Sequence, residues 1–121
     1  LGLFGTVISE AYGGSEMGWL AAMIISEEIA RASSSLRVQI NMQTLGCAYT
    51  IQTYGSEELK QKFLPPVVEG KMLSAGAFTE PGHGSDITSL DTTAVRDGDE
   101  WVINGTKTFI TKFRFKCHPN L

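Results

Sequence analysis

Thr92-Thr93-Ala94-Val95-Arg96-Asp97-Gly98-Asp99-Glu100-Trp101-Val102-Ile103-Asn104-Gly105-Thr106-Lys107-Thr108-Phe109-Ile110 is the stretch whose reading decides the fold class. Three short runs, at 92–96, 100–103 and 106–110, are separated by Asp97-Gly98 and Asn104-Gly105. Such pairs supply the positive φ that tight type I′ hairpin turns require, so the spacing predicts an antiparallel meander. Just upstream, 72–78 is short and mostly apolar and reads as a further strand.

Before residue 72 the pattern is helical. Trp19, Ala22, Met23, Ser26, Ile29 and Ala30 recur at i, i+3, i+4, i+7, i+10 and i+11, one face of a helix over 17–32. Ser33-Ser34-Ser35 is expected to break it, because short hydroxyl side chains compete for backbone hydrogen bonds. A second period, Val38, Met42, Leu45 and Tyr49, runs on to Tyr54, where Gly55 is expected to take the left-handed helix stop. Ser56 is placed to cap the next helix, with Glu57 and Glu58 at the positive end of its dipole. Pro65-Pro66 is expected to end or sharply bend that helix.

Helices first and antiparallel strands second, switching near Gly70-Lys71, give an α+β chain and argue against alternating βαβ units. The expected division is a partial all-helical domain over 1–71, an incomplete antiparallel β domain over 72–111, and an atypical tail over 112–121. A chain of 121 residues has room for one domain, or one plus part of a neighbour. Net charge −3 provides no basic field, which excludes the electrostatic footprint of a nucleic-acid binder. The longest apolar run, 19–25, is far too short to span a bilayer, so no membrane partner is expected. Leu1-Gly2-Leu3-Phe4-Gly5 has neither an initiator Met nor a signal-peptide pattern, and the N-terminus is expected to lie upstream. Cys47 and Cys117 are too far apart for a zinc knuckle or a CxxC pair, and Cys47 reads as helix packing.

Phe78-Thr79-Glu80-Pro81-Gly82-His83-Gly84-Ser85-Asp86 is a small, polar, twice-glycine loop directly after an apolar run. Glycines allow a ligand close to the main chain, consecutive N–H groups can converge on an anion, and Thr79 and Ser85 add hydroxyls. A ligand loop and an ordinary surface turn both fit this composition. Dinucleotide and Walker fingerprints are rejected, since Ile87 stands where the third glycine should be and no lysine is placed for a P-loop. His83, Ser85 and Asp86 are too close in sequence to act as base, nucleophile and orienter.

Residues 77–86, followed by Trp101-Val102-Ile103-Asn104-Gly105-Thr106-Lys107-Thr108-Phe109-Ile110-Thr111, resemble the two flavin-binding signatures of the acyl-CoA dehydrogenase family. Glu10-Ala11-Tyr12-Gly13-Gly14, the Ser26-Glu27-Glu28 helix and the segment 54–65 resemble further family landmarks in family order, so the likeness covers roughly 2–111. It implies an acyl-CoA dehydrogenase-like fold whose C-terminal four-helix bundle is missing. It further implies FAD as cofactor, against which Gly76, Ala77, Phe78, Thr79, Gly84 and Ser85 would lie, with the Phe78 and Thr79 amides and the Thr79 hydroxyl at the pyrimidine edge. Ser85 would also serve the flavin pyrophosphate and neighbour the acyl-CoA, while Phe109, Ile110 and Thr111 would pack on the other flavin face. Phe109 stands where the family usually has Trp, which keeps an apolar wall but drops the indole N–H.

The activity implied is α,β-dehydrogenation of an acyl-CoA thioester, with electrons passing to an electron-transferring flavoprotein. The enzyme would be homo-oligomeric and located in a bacterial cytoplasm, or in the mitochondrial matrix if eukaryotic. No catalytic residue and no metal ligand are assigned within this chain. The family's base is a glutamate of the absent bundle, and Glu80 is read as making a structural bond rather than replacing it. The fragment is expected to be inactive alone. A non-catalytic binding remnant and an acyl-CoA oxidase on the same scaffold are the alternatives. Past Thr111 the likeness stops, and the basic-aromatic tail with Cys117 and His118, too few ligands for a metal, fits a truncated or frame-shifted product or an incomplete sequence.

Overall fold

The computed structural model describes residues 2–111, and the expectations that fall on 112–121 lie outside the described residues. Two 3₁₀ turns, Leu3–Gly5 and Glu10–Tyr12, lead into α1 (Gly18–Ala32) and α2 (Ser34–Asn41). A π-helical segment, Met42–Ala48, then joins α2 to α3 (Tyr49–Tyr54), and α4 (Glu57–Val68) follows. Strands β1 (Thr93–Asp97) and β2 (Glu100–Asn104) pair antiparallel, from Thr93 opposite Asn104 to Asp97 opposite Glu100. The α+β order of helices before an antiparallel ribbon is therefore present.

The helical half is held by one apolar cluster: Val7, Ile8, Ala22, Ala48, Leu64, Val67 and Val68, with Tyr12, Leu45, Tyr49 and Ile51 packed on it. Trp19 meets the Tyr49 ring edge-on at 4.8 Å between centroids. The α1 face is wetter than its periodicity implies, since Trp19 and Met23 are both exposed, as are Leu20 and Ile24 beside it.

Helix punctuation departs from expectation in three places. The triple-serine break is a single residue: only Ser33 leaves helical geometry, and its hydroxyl accepts the Leu36 N–H as the cap of α2, which already contains Ser34 and Ser35. Gly55 is not left-handed but extended (φ −71, ψ 151). Glycine fits there because a Cβ would stand 2.6 Å from the Ile51 carbonyl oxygen. Ser56 caps α4 by accepting the Leu59 N–H. Pro65 and Pro66 neither end nor interrupt that helix, which runs on to Val68. The missing proline donors face the carbonyls of Gln61 and Lys62, both on the exposed side, while buried Leu64, Val67 and Val68 tie the last turn into the core.

Two expected strands are absent. Residues 72–78 form no ladder: buried Gln43 takes backbone groups at the start of the segment, its Nε2 donating to the Met72 carbonyl at 2.6 Å and its Oε1 accepting the Ser74 N–H at 2.9 Å. Residues 106–110 leave the sheet after Asn104, and the Thr108 N–H goes instead to the Thr79 carbonyl at 2.9 Å. Asn104-Gly105 therefore makes no hairpin turn. The observed hairpin turns at Gly98-Asp99 with positive φ at Gly98 alone (φ 61), the requirement of a type II′ loop rather than type I′. Every residue of the two strands is exposed, so the ribbon has no packed face of its own.

Candidate functional site

Local structure aims the segment 72–79 before any ligand is considered. Gln43 is fully buried on the π-helical segment and bonds the carbonyls of Val67 and Met72 and both the amide and hydroxyl of Ser74. The wider winding of a π turn is common at functional sites, where it displaces side chains that a regular helix would stack. Here the same segment presents Met42, Gly46 and Cys47, which together with Thr50, Ile51 and Phe78 line an open apolar cleft of about 270 Å³. Gly76 lies between the two walls: a Cβ there would stand 2.8 Å from the Phe78 ring and 2.9 Å from the Met42 methyl, so glycine lets them close over the loop.

Glu80 anchors the far side of the loop. Its carboxylate is almost completely buried and accepts the N–H of Asp91 at 2.6 Å, the N–H of Thr92 at 3.0 Å, the Thr92 hydroxyl, and the Lys107 ammonium at 2.7 Å. Its main chain exchanges two bonds with His83, and His83 Nε2 lies 3.3 Å from a carboxylate oxygen of Asp91. Glu80, His83 and Asp91 bring possible metal-ligating atoms within 4.8 Å of one another. The Lys107 ammonium already sits on Glu80, so this carboxylate has its cation.

Lys107 and its hydrogen bonds hold the Glu80 carboxyl down to about 2 from an ordinary 4.5, followed by the Thr92 hydroxyl and the N–H groups of Asp91 and Thr92, against an opposing push from burial. Since the pKa is lower folded than unfolded, the stabilisation is fully present above about 4.5 and is lost as pH falls toward about 2. Glu80→Gln should therefore be less stable than the parent at neutral pH, with the gap closing over that interval. Urea unfolding of both chains across that acid range checks it, and a gap independent of pH would show that the charge contributes nothing.

The second signature segment meets the first at this anchor. Lys107 Nζ also donates to the Phe78 carbonyl at 3.1 Å, and the Thr108 N–H to the Thr79 carbonyl at 2.9 Å, so Phe78–Thr79 and Lys107–Thr108 form one junction. Phe109 follows with φ 56, a left-handed conformation costly for a bulky side chain, and its ring is 90% exposed. Ile110 is half-buried and Thr111 exposed. Gly84 and Ser85 stand in an exposed turn beyond the Glu80–His83 bridge, and among the described residues Ser85 makes no bond to the junction. Asp86 is fixed locally by Ser89 and Thr88, which lower its pKa.

The structure thus joins the candidates around Thr79 to the segment entering Phe109, while among the described residues no hydrogen bond ties Gly84, Ser85 or Thr111 to that junction. Gln43, Thr92 and Lys107 carry the geometry although the motif reading gave them no role. Among the described residues, the amides of Ala77, Phe78 and Thr79 donate to no protein acceptor, although both ends of their loop are pinned. A row of uncommitted donors beside an apolar wall fits the electron-rich edge of an isoalloxazine ring, which takes on negative charge when reduced.

Residues 1–71 match the acyl-CoA dehydrogenase N-terminal domain, and residues 75–115 the acyl-CoA dehydrogenase middle domain. The chain belongs to the acyl-CoA dehydrogenase family, a family of FAD-dependent oxidoreductases. It is 58% identical over 113 residues to a glutaryl-CoA dehydrogenase of Desulfococcus multivorans, a match covering 92% of this chain and 29% of that one. Among solved structures it superposes on a glutaryl-coenzyme A dehydrogenase in complex with glutaryl-CoA with TM-score 0.87 and 58% identity, over 90% of this chain and 28% of that one. It also superposes on an acyl-CoA dehydrogenase of Bacillus anthracis complexed with FAD, with TM-score 0.85 and 34% identity over 92% and 19% of the two chains. The chain therefore spans less than a third of the length of these relatives. No helix among the described residues is long and apolar enough to cross a membrane.

Proposed function

We propose that this chain supplies the flavin-facing wall of an FAD-dependent acyl-CoA dehydrogenase, in which an acyl-CoA thioester loses hydrogen from its α and β carbons. The observation that carries this is the Thr108 N–H to Thr79 carbonyl bond, which closes the two signature segments into one junction beside a row of amides that have no acceptor among the described residues. Gly76, Ala77, Phe78 and Thr79 would hold one side of the flavin, Phe109, Ile110 and Thr111 the other, and Gly84 with Ser85 the pyrophosphate, Ser85 also neighbouring the acyl-CoA. When bound, FAD supplies the hydride acceptor. The residues of this chain orient it, offer amide donors where charge gathers, and exclude water with Phe78 and Phe109.

The base that takes the α-proton comes from elsewhere in this reading. Glu80 follows Thr79 directly, but its carboxylate already accepts from Lys107, Thr92 and two amides and is ionised down to about 2, which makes it a poor proton acceptor. The 121-residue chain is proposed to be inactive alone and to be completed by a helical bundle in a homo-oligomer. Residues 1–71 would be its helical domain and 72–111 the start of its β domain. Electrons would leave to an electron-transferring flavoprotein, in a bacterial cytoplasm or a mitochondrial matrix. Likeness to glutaryl-CoA dehydrogenases makes glutaryl-CoA the first thioester to test.

The test exchanges residues 2–111 for the matching stretch of the Desulfococcus multivorans enzyme. The purified hybrid should be yellow, and glutaryl-CoA should bleach its flavin absorbance. A folded hybrid without flavin would refute the proposal. A yellow preparation of the 121-residue chain that an acyl-CoA bleaches would refute its incompleteness.

A further inference from the structure

We propose that Lys107, steadied by Glu80, is a positioning residue for the cofactor: its ammonium sets the Phe78–Thr79 peptide plane so that the Thr79 N–H faces the flavin. The inference rests on reading 76–79 as flavin wall, and it assigns to one side chain the direction of one donor.

The geometry is over-determined. Lys107 Nζ lies 3.1 Å from the Phe78 carbonyl oxygen and 2.7 Å from Glu80 Oε1. The Phe78–Thr79 peptide is trans, as every peptide described here is, so the Thr79 N–H points opposite to the carbonyl that Lys107 grips. The following plane is fixed as well, because the Thr79 carbonyl accepts the Thr108 N–H at 2.9 Å and the Glu80 N–H donates to His83 at 3.0 Å. Both planes flanking Thr79 are thus locked. Among the described residues its own N–H has no acceptor.

A stabilising ion pair would need only the Lys107 to Glu80 arm. The second arm reaches the main chain of the loop, where its sole geometric effect is to orient a peptide. Glu80 in turn does not move freely under the ammonium, because Asp91, Thr92 and the Thr92 hydroxyl hold its other lone pairs. With two amides and a hydroxyl holding the carboxylate that holds the cation, the donor is set before any cofactor arrives, which is the form electrostatic preorganisation takes.

The experiment uses the hybrid holoenzyme described above, with Lys107→Met and Thr92→Val compared with the parent. Lys107→Met should weaken FAD binding about tenfold, as expected for losing a charge-assisted hydrogen bond. It should also make the flavin midpoint potential more negative, because a mis-aimed donor no longer stabilises the charge of the reduced ring. Thr92→Val removes the hydroxyl from Glu80 but leaves both amides on the carboxylate and Lys107 on Phe78, so it should lower the melting temperature while moving FAD affinity and potential in the same direction by much less than Lys107→Met. Should the Met variant fail to fold, Lys107→Gln must move the potential in the same direction. The proposal is overturned if Lys107→Met or Lys107→Gln gives a holoenzyme of unchanged affinity and potential, or if Thr92→Val shifts both as far. Absence of flavin from the unsubstituted hybrid overturns the flavin-wall reading itself, and Lys107 with it.

Discussion

Replacing Gln43 by Leu, a change of similar volume, is expected to lower the stability of the chain by about 3 kcal/mol. Gln43 is fully buried and pairs with four groups: the carbonyls of Val67 and Met72 and the amide and hydroxyl of Ser74. Leucine would offer none of them a partner. A buried group left unsatisfied costs about 1–3 kcal/mol, so the sum is set by how many of the four can find water. The Val67 carbonyl keeps the Gly70 N–H at 3.1 Å, so the loss falls on the Met72 carbonyl and on Ser74; Met72 is exposed and Ser74 half-buried, so part of it is recovered there. Urea unfolding followed by tryptophan fluorescence should show a lower midpoint at unchanged slope. Faster hydrogen exchange should appear at the Ser74 amide. A loss below about 1 kcal/mol would mean that the 72–76 segment is held by something else, and with it the aim of the loop that follows.

The fate of Gln43 also shows why part of this fold was legible and part was not. Local signals were read correctly: Ser56 ahead of Glu57 and Glu58 caps α4, and the Asp97-Gly98 region turns the hairpin, one residue later than placed. These need only neighbours along the chain. The segment 72–78 has the composition of a strand, and nothing within it reveals that its partner is an amide side chain thirty-one residues away from Ser74. Pro65-Pro66 failed as a helix stop for the same reason, because the burial of Leu64, Val67 and Val68 against distant residues outweighs a local preference.

At the site, the resemblance picked out both signature segments, and the structure brings them together at Thr79 and Thr108. What it did not deliver was the device that holds them. A lone lysine between two threonines in the second segment and a lone glutamate in the first are opposite charges with no local reason to be there. That pairing was the available signal for Lys107 and Glu80. The wide winding over Met42–Ala48 had no such signal, since Gln43 and Thr44 interrupt the apolar period as surface residues would, yet both are buried.

Gly14→Ala is expected to cost about 3 kcal/mol, at the upper end of the overpacking range, although it adds a single methyl. That methyl would overlap the Ile8 backbone carbonyl and stand 2.8 Å from the Ile8 Cβ. Relief requires moving the chain at Ile8, which is fully buried in the core cluster. The same stretch is strapped by the Ile8 N–H to Gly5 at 3.1 Å, the Glu16 N–H to Ile8 at 3.1 Å and the Gly14 N–H to Ser9 at 3.0 Å. Backbone against backbone leaves no rotamer to turn aside. Gly13, its neighbour, is the control: a Cβ there meets nothing within 4 Å, but φ is 82, so Gly13→Ala should cost only about 1–2 kcal/mol through conformation. The Gly13-Gly14 pair that marked this segment in the sequence thus joins two requirements, a left-handed turn and then a close approach. Urea unfolding of both variants separates them, and equal losses at the two positions would show that the approach at Ile8 is not the constraint.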